Sequence, residues 1–224
     1  MRLQVAPTGG TINLAILPTF GMRWLVPRLP DFARAHPDLT LNMATRLQPF
    51  PFGAEPFDAA LHYGQGDWPG TDRMLLRYEQ VLPVCTPELL QSNNARHLKG
   101  RKPDRAGDLL NLPLLHIQSR PDAWADWFIA QGTCAPSPVP GTLYDQFSTI
   151  MQAALHGLGV ALMPDYQTEQ DLAEGRLINA YGRPVEATGA YYLVWPRSPG
   201  PSPALQHFMD WLLTQAEPED RLPR

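Results

Sequence analysis

From Thr11 to Gln215, short apolar strand patterns alternate with amphipathic helix patterns, and this alternation constrains the fold more than any other property of the chain. Thr11–Leu17 sets Ile12, Leu14 and Ile16 against Asn13 and Ala15, the period-two pattern of a strand. Pro18-Thr19 ends it. Phe20–His36 follows, with Trp24, Leu25, Leu29 and Phe32 at roughly helical spacing. Pro27 and Pro30 lie inside that stretch, and a proline has no N–H to donate, so a kinked or late-starting helix is predicted. Leu39–Arg46 alternates again as a second strand. A strand, helix and strand within about 35 residues is the size of one βαβ unit with a right-handed crossover.

The pattern continues. Phe57–Tyr63 reads as a strand ending in Gly64-Gln65-Gly66, and Arg77–Thr86 as another, carrying Val81, Leu82 and Val84. Gln91–Gly107 is polar and basic, with Arg96, Lys99, Arg101, Lys102 and Arg105, and reads as a solvated surface loop. Strands are then predicted over Leu112–Ile117, Gly141–Asp145, Val160–Met163, Leu177–Tyr181 and Tyr191–Trp195. Helices are predicted over Ala123–Gln131, Ser148–His156, Gln167–Glu174 and Ala204–Gln215. Gly157 and Gly159 supply the tight turn between one helix and the next strand. The implied class is α/β, with mainly parallel sheets covered by helices on both faces. The 25 prolines exclude a mostly helical bundle.

Several function classes are disfavoured. The net charge of −4 argues against a chain that grips DNA by itself, because such binding depends on neutralising phosphates. The first residues have no continuous apolar core of a secretion signal, and no stretch reaches the ~18 apolar residues of a membrane span. Cytoplasm is therefore the expected compartment. Cys85 and Cys134 lack a CxxC spacing and are expected as free thiols. No nucleophile elbow, phosphate-binding loop, dinucleotide fingerprint or zinc-protease motif occurs. His36, His62, His97, His116, His156 and His207 are scattered, none with a Cys or His at metal-ligand spacing, so no metal and no cofactor are expected. Asp122 and Asp126 could share a helix face, but two acids alone read more readily as a solvated surface.

The motifs Leu14-Ala15-Ile16-Leu17-Pro18-Thr19-Phe20, Arg23–Phe32 with His36-Pro37, Phe57–Gly64 with Trp68-Pro69-Gly70, Val81–Pro87, Gln152–Leu162 and Tyr191–Pro196, in this order, resemble the effector-binding domain of LysR-type transcriptional regulators. The wording is closest to the branch of the glycine-cleavage activator and the regulator that induces chromosomal β-lactamase. The likeness runs from about Thr11 to Leu213. It implies two Rossmann-like subdomains joined by two crossover strands, as in type II periplasmic binding proteins. Subdomain I would be residues 11–86 and 191–215, and subdomain II residues 87–190. Residues 1–10 would be a linker remnant and 216–224 a flexible tail. The family's N-terminal winged helix-turn-helix has no counterpart in this chain, so promoter DNA and RNA polymerase are expected as partners only of a full-length regulator. The resemblance also implies a homodimer and a small-molecule effector held between the subdomains.

Within that fold, ligand contacts are expected where strands hand over to helices at the carboxyl edge of each sheet. The candidates are Thr19, Phe20 and Trp24 after the first strand, Tyr63 and Gly64 after the third, and Gln146, Phe147 and Ser148 in the second subdomain. Helix N-termini favour a polar or anionic ligand, although plain capping also explains a hydroxyl residue at such a turn. A solute-binding protein of a transport system shares the implied fold and stays open as a second reading. An enzyme on this fold would need an acid/base or nucleophile pair in its cleft.

Overall fold

The structure, a computed structural model, describes residues 9–92, 98 and 101–216. In chain order the elements are β1 (Thr11–Ile16), α1 (Pro18–Phe20), α2 (Leu29–Ala35), β2 (Thr40–Thr45), β3 (Ala59–Gly64), β4 (Thr71–Cys85), α3 (Pro87–Gln91), β5 (Leu114–Ile117), α4 (Ala123–Ala130), β6 (Thr142–Tyr144), α5 (Phe147–Leu155), β7 (Val160–Pro164), α6 (Asp165–Ala173), β8 (Ile178–Asn179), β9 (Val185–Pro196) and α7 (Pro203–Gln215). They form two compact units. One comprises the described residues up to Tyr78 and from Thr188 on; the other is Glu79–Ala187. The divisions fall inside β4 and β9, which run from one unit into the other.

In the first unit, β1 pairs in parallel with β2 from Thr11↔Thr40 to Ile16↔Thr45, and with β3 at Leu14↔Ala59 and Ala15↔Ala60. β9 returns antiparallel to β3, Ala60↔Val194 to Gly64↔Ala190. The strand order is β2-β1-β3-β9-β4. Successive side chains of a strand point to opposite faces, which separates two packing layers. Ala15, Ala60 and Val194 meet Phe50, with Phe52, Phe57 and Trp68 around it. Ile12 and Leu14 are buried, and α7 packs on β1. The Ser202 hydroxyl caps α7 by accepting from the Leu205 N–H at 3.2 Å, and Phe208 meets Phe32 of α2 edge to face at 5.2 Å.

The proline-bearing stretch between α1 and α2 shows what missing donors do to a helix. Gly21–Leu25 forms a π turn closed by the Val26 N–H on the Gly21 carbonyl. A 3₁₀ turn, Val26–Arg28, follows and is closed by Leu29 on Val26. Regular α-helix starts only at Leu29, because Pro27 and Pro30 cannot donate and the ladder shifts register around them.

In the second unit, β5 pairs in parallel with β6 and β7, while the later half of β4 runs antiparallel to β7, Val81↔Pro164 to Val84↔Ala161. The order is β4-β7-β5-β6, with β8 beside β4. β7 is buried on both faces. Val160 and Leu162 meet a cluster with Trp124, Trp127 and Phe128, whereas Ala161 and Met163 meet Ile150, Met151 and Ala154 of α5. Gly159 allows this packing, since a Cβ there would lie 2.5 Å from the Pro113 carbonyl oxygen; Gly157 takes φ 71° at the end of α5.

Three expectations need correction. The sheets are mixed rather than mainly parallel, because β4 and β9 enter their ladders antiparallel. Both strands are also longer than their apolar segments; Thr71–Tyr78 is mostly polar and half-exposed, so hydrophobic alternation does not reveal it. Finally, the basic segment Gln91–Gly107 is not all loop. It opens at the end of α3, which Thr86 caps by accepting from the Leu89 N–H at 3.3 Å, and it closes in a 3₁₀ turn, Ala106–Asn111, with Ala106 and Leu109 buried. Residues 93–97 and 99–100 of that segment, the first eight residues of the expected linker remnant and 217–224 of the expected tail lie outside the described residues.

Candidate functional site

The first unit's candidates stand at the carboxyl ends of β1 and β3, which run parallel and so share one edge. α1 starts at Pro18 with Leu17 as its cap residue, and Leu17 has no side-chain capping bond. Thr19 is therefore the second helical residue rather than the cap, and the residue is buried, 7% exposed. Beyond it the rings stack. Phe20 lies on Trp24 with centroids 4.9 Å apart and planes 11° apart, and on Tyr191 at 3.9 Å and 4°. Tyr191 in turn meets Tyr63 at 5.1 Å. Phe20, Trp24 and Tyr191 are buried, so Phe20 and Trp24 are core side chains of this unit. Tyr63 and Gly64 are half-buried. A Cβ at Gly189 would come within 2.7 Å of the Tyr63 ring, so the β9 backbone passes close to that ring.

A cavity of about 10 Å³ near the same strand ends is lined by Leu17, Arg46, Gln48, His62 and Trp68, among others. That is room for about one water. Burial holds the His62 imidazole below its ordinary pKa, and Asp67 partly offsets this.

In the second unit the parallel strands β5, β6 and β7 again share a carboxyl edge. α5 begins at Phe147 with Gln146 as a cap residue whose side chain makes no capping bond; Ser148 is the second residue and exposed. Gln146 and Phe147 are half-buried. Neither Thr19 nor Ser148 therefore stands at a cap position. Sequence reasoning did not single out the strongest charge feature at this edge. Arg120, three residues past β5, forms an ion pair with Glu79 of β4, and its guanidinium lies 4.7 Å over the Phe147 ring. A signal existed: Glu79 is an acid among Tyr78, Val81 and Leu82 in a strand, where an unpaired charge is costly.

The remaining polar features are less suggestive. Asp122 is the cap residue of α4, and it and Asp126 are both exposed, as a solvated face requires. Among the described residues no group of three His, Cys, Asp or Glu could hold a metal ion. Cys85 and Cys134 are free thiols. An open groove of about 380 Å³ is lined by Thr86, Glu88, Gln152, His156 and Arg176, among others. It lies where α5 and α6 end, away from Gln146–Ser148, and Arg176 is already paired with Asp171 and Glu174.

The sequence profile of the LysR substrate binding domain matches residues 6–217. The glycine cleavage system transcriptional activator of Escherichia coli K12 is 32% identical over 219 residues, covering 97% of this chain and 69% of that protein. The HTH-type transcriptional activator AmpR of Rhodobacter capsulatus is 33% identical over 205 residues, covering 92% of this chain and 66% of that protein. The effector domain of AmpR from Pseudomonas aeruginosa superposes with a TM-score of 0.78 at 30% identity, over 91% of this chain and 93% of that one. In the described residues no helix is long and apolar enough to cross a membrane.

Proposed function

The chain belongs to the LysR substrate-binding-domain family, with the mixed α/β fold of type II periplasmic binding proteins, and from that premise we propose that it senses a small polar or anionic metabolite for a transcriptional regulator. The observation that carries this reading is the pair of strand-to-helix turns after β1 and β6. Each starts a helix whose cap side chain is not engaged, with a hydroxyl residue at the second position, Thr19 in one and Ser148 in the other. Parallel strand ends of this kind receive ligands in α/β sheets. The ligand is proposed to sit in a cleft between the units, with Thr19, Tyr63, Gly64, Gln146, Phe147 and Ser148 facing it and Phe20 and Trp24 supporting the turn that carries Thr19.

Because family and relatives are transcriptional regulators, the domain is proposed to bind its ligand without turning it over and to act from the cytoplasm. Its action on promoter DNA and RNA polymerase would pass through the DNA-binding segment that the name of the HTH-type relative implies. It is also proposed to form homodimers, with α2 and β2 contributing. β2 is an edge strand, exposed nearly throughout, and Met22, Val26 and Met43 expose large apolar side chains on the same unit. The match to transcriptional regulators favours this reading over a solute-binding protein.

A thermal-shift screen of small metabolites tests the proposal. A true effector at 100 times its dissociation constant stabilises the native state by about 2.7 kcal/mol. Silence across polar and anionic metabolites, or steady turnover of a bound one, would contradict it. Light scattering tests the assembly: a 25.0 kDa particle at tens of micromolar would count against the dimer.

A further inference from the structure

The imidazole of His62 is a polar group that the first unit's strand ends leave unused. In the parallel register Ile16 of β1 stands beside Thr45 of β2, and Ala15 beside Ala60 of β3. Leu17, Arg46 and His62 therefore fall side by side at the carboxyl edge. With Gln48, Trp68 and others they line the cavity of about 10 Å³.

Strand side chains lean along the strand, and His62 leans toward the edge: a Cβ on Gly64 would lie 2.8 Å from its Nε2. Gly64 is not in the left-handed region, so its missing side chain makes room for the ring rather than for a turn. Trp68 stands edge to face with the imidazole at 5.1 Å and holds its plane. Neither ring nitrogen of this half-buried residue is hydrogen-bonded to another described residue, and neither is sealed from solvent. Burial holds the pKa below its ordinary value, so at pH 7 the ring is neutral, with one donor nitrogen and one acceptor.

We propose that His62 is an effector-contacting residue and that the effector presents an uncharged hydroxyl to its Nε2. The proposal rests on the sensor reading and names the ligand group for the first unit's share of that site. Size and charge select the hydroxyl. The cavity has room for about one water, which fits one hydroxyl oxygen and not the two oxygens of a carboxylate. Arg46 is already committed: its Nε donates to Glu55 at 2.7 Å and its Nη1 to the Thr45 carbonyl at 2.8 Å. A ligand cation would meet that guanidinium. An anion would meet Glu55 and Asp67, whose two charges outnumber it.

Glycerol, acetate and methylammonium, titrated at matched ionic strength and followed by NMR, test this. Glycerol is expected to shift the His62 ring Cε1–H resonance and the Gly64 amide along one saturating curve, with both ions binding at least about tenfold more weakly. His62→Phe keeps an aromatic ring beside Trp68 and removes both nitrogens. It is expected to lose glycerol affinity by about tenfold or more at the Gly64 amide. Gly64→Ala keeps the imidazole but displaces it, and is expected to lose affinity similarly at the ring resonance. His156→Gln, which removes an exposed imidazole of the other unit, is expected to keep it. Linear, non-saturating shifts in the wild type, meaning a hydrated ring only, would overturn the assignment. An unchanged midpoint in either His62→Phe or Gly64→Ala, or equal affinity for either ion, would also overturn it. A screened metabolite that stabilises the domain without moving the His62 resonance would overturn it and leave the sensor reading standing. A screen in which no metabolite stabilises the domain would instead remove the sensor reading.

Discussion

The rings of Phe20 and Tyr191 lie face to face, with centroids 3.9 Å apart and planes 4° apart. Phe20 ends the short helix after β1, and Tyr191 sits on β9 opposite Tyr63 of β3. The stack thus fixes the turn carrying Thr19 to the returning strand of the same unit.

Removing one ring should loosen that turn. Phe20→Ala deletes a fully buried ring between two stacked neighbours, so a loss of about 3–5 kcal/mol is expected. Urea unfolding of the wild type and the variant measures it. A loss below about 1 kcal/mol would mean that the ring is not packed as described.

The two thiols should behave differently. Cys85 is fully buried, and burial pushes its pKa up to about 12 against the opposing charge of Lys102. Cys134 is exposed. A disulfide reagent should therefore label one thiol per native chain quickly, and Cys134→Ser should abolish that fast phase. Cys85 should react only on unfolding, because the thiolate is the reactive form. Two fast equivalents in the native protein would contradict its burial.

Stability should fall on mild acidification, partly through His62. Its folded pKa lies below 6.5, so the unfolded chain takes up the proton more readily. The contribution is complete above 6.5 and is lost as the pH falls through the lowered folded value. Urea midpoints at about pH 7.5 and about pH 5 should therefore differ less in His62→Gln than in the wild type. An equal difference in both would assign the acid sensitivity elsewhere.

The strands and helices with one apolar face were readable from sequence because burial writes their period directly. β1, α5 and α7 are of this kind, and their observed ends lie within one residue of the expected ones. The first half of β4 was not readable, because its side chains are polar and half-exposed and its place is set by a partner strand far away in sequence. The fate of Phe20 and Trp24 was hidden for a related reason. Position at a strand end marks Phe20 as a candidate ligand contact, whereas the burial of its ring depends on the stacking partner Tyr191, 171 residues away. Arg120 escaped notice because its partner Glu79 is brought to it only when β4 and β5 flank β7.

In the proposed site the turn after β1 holds the effector through the Thr19 hydroxyl. With the effector found by the thermal-shift screen, calorimetry on the wild type and on folded Thr19→Val measures it directly. Affinity is expected to be weaker by about tenfold in the variant, about 1.4 kcal/mol, as for one lost hydrogen bond. Unchanged affinity in a variant that unfolds like the wild type would remove Thr19 from the site.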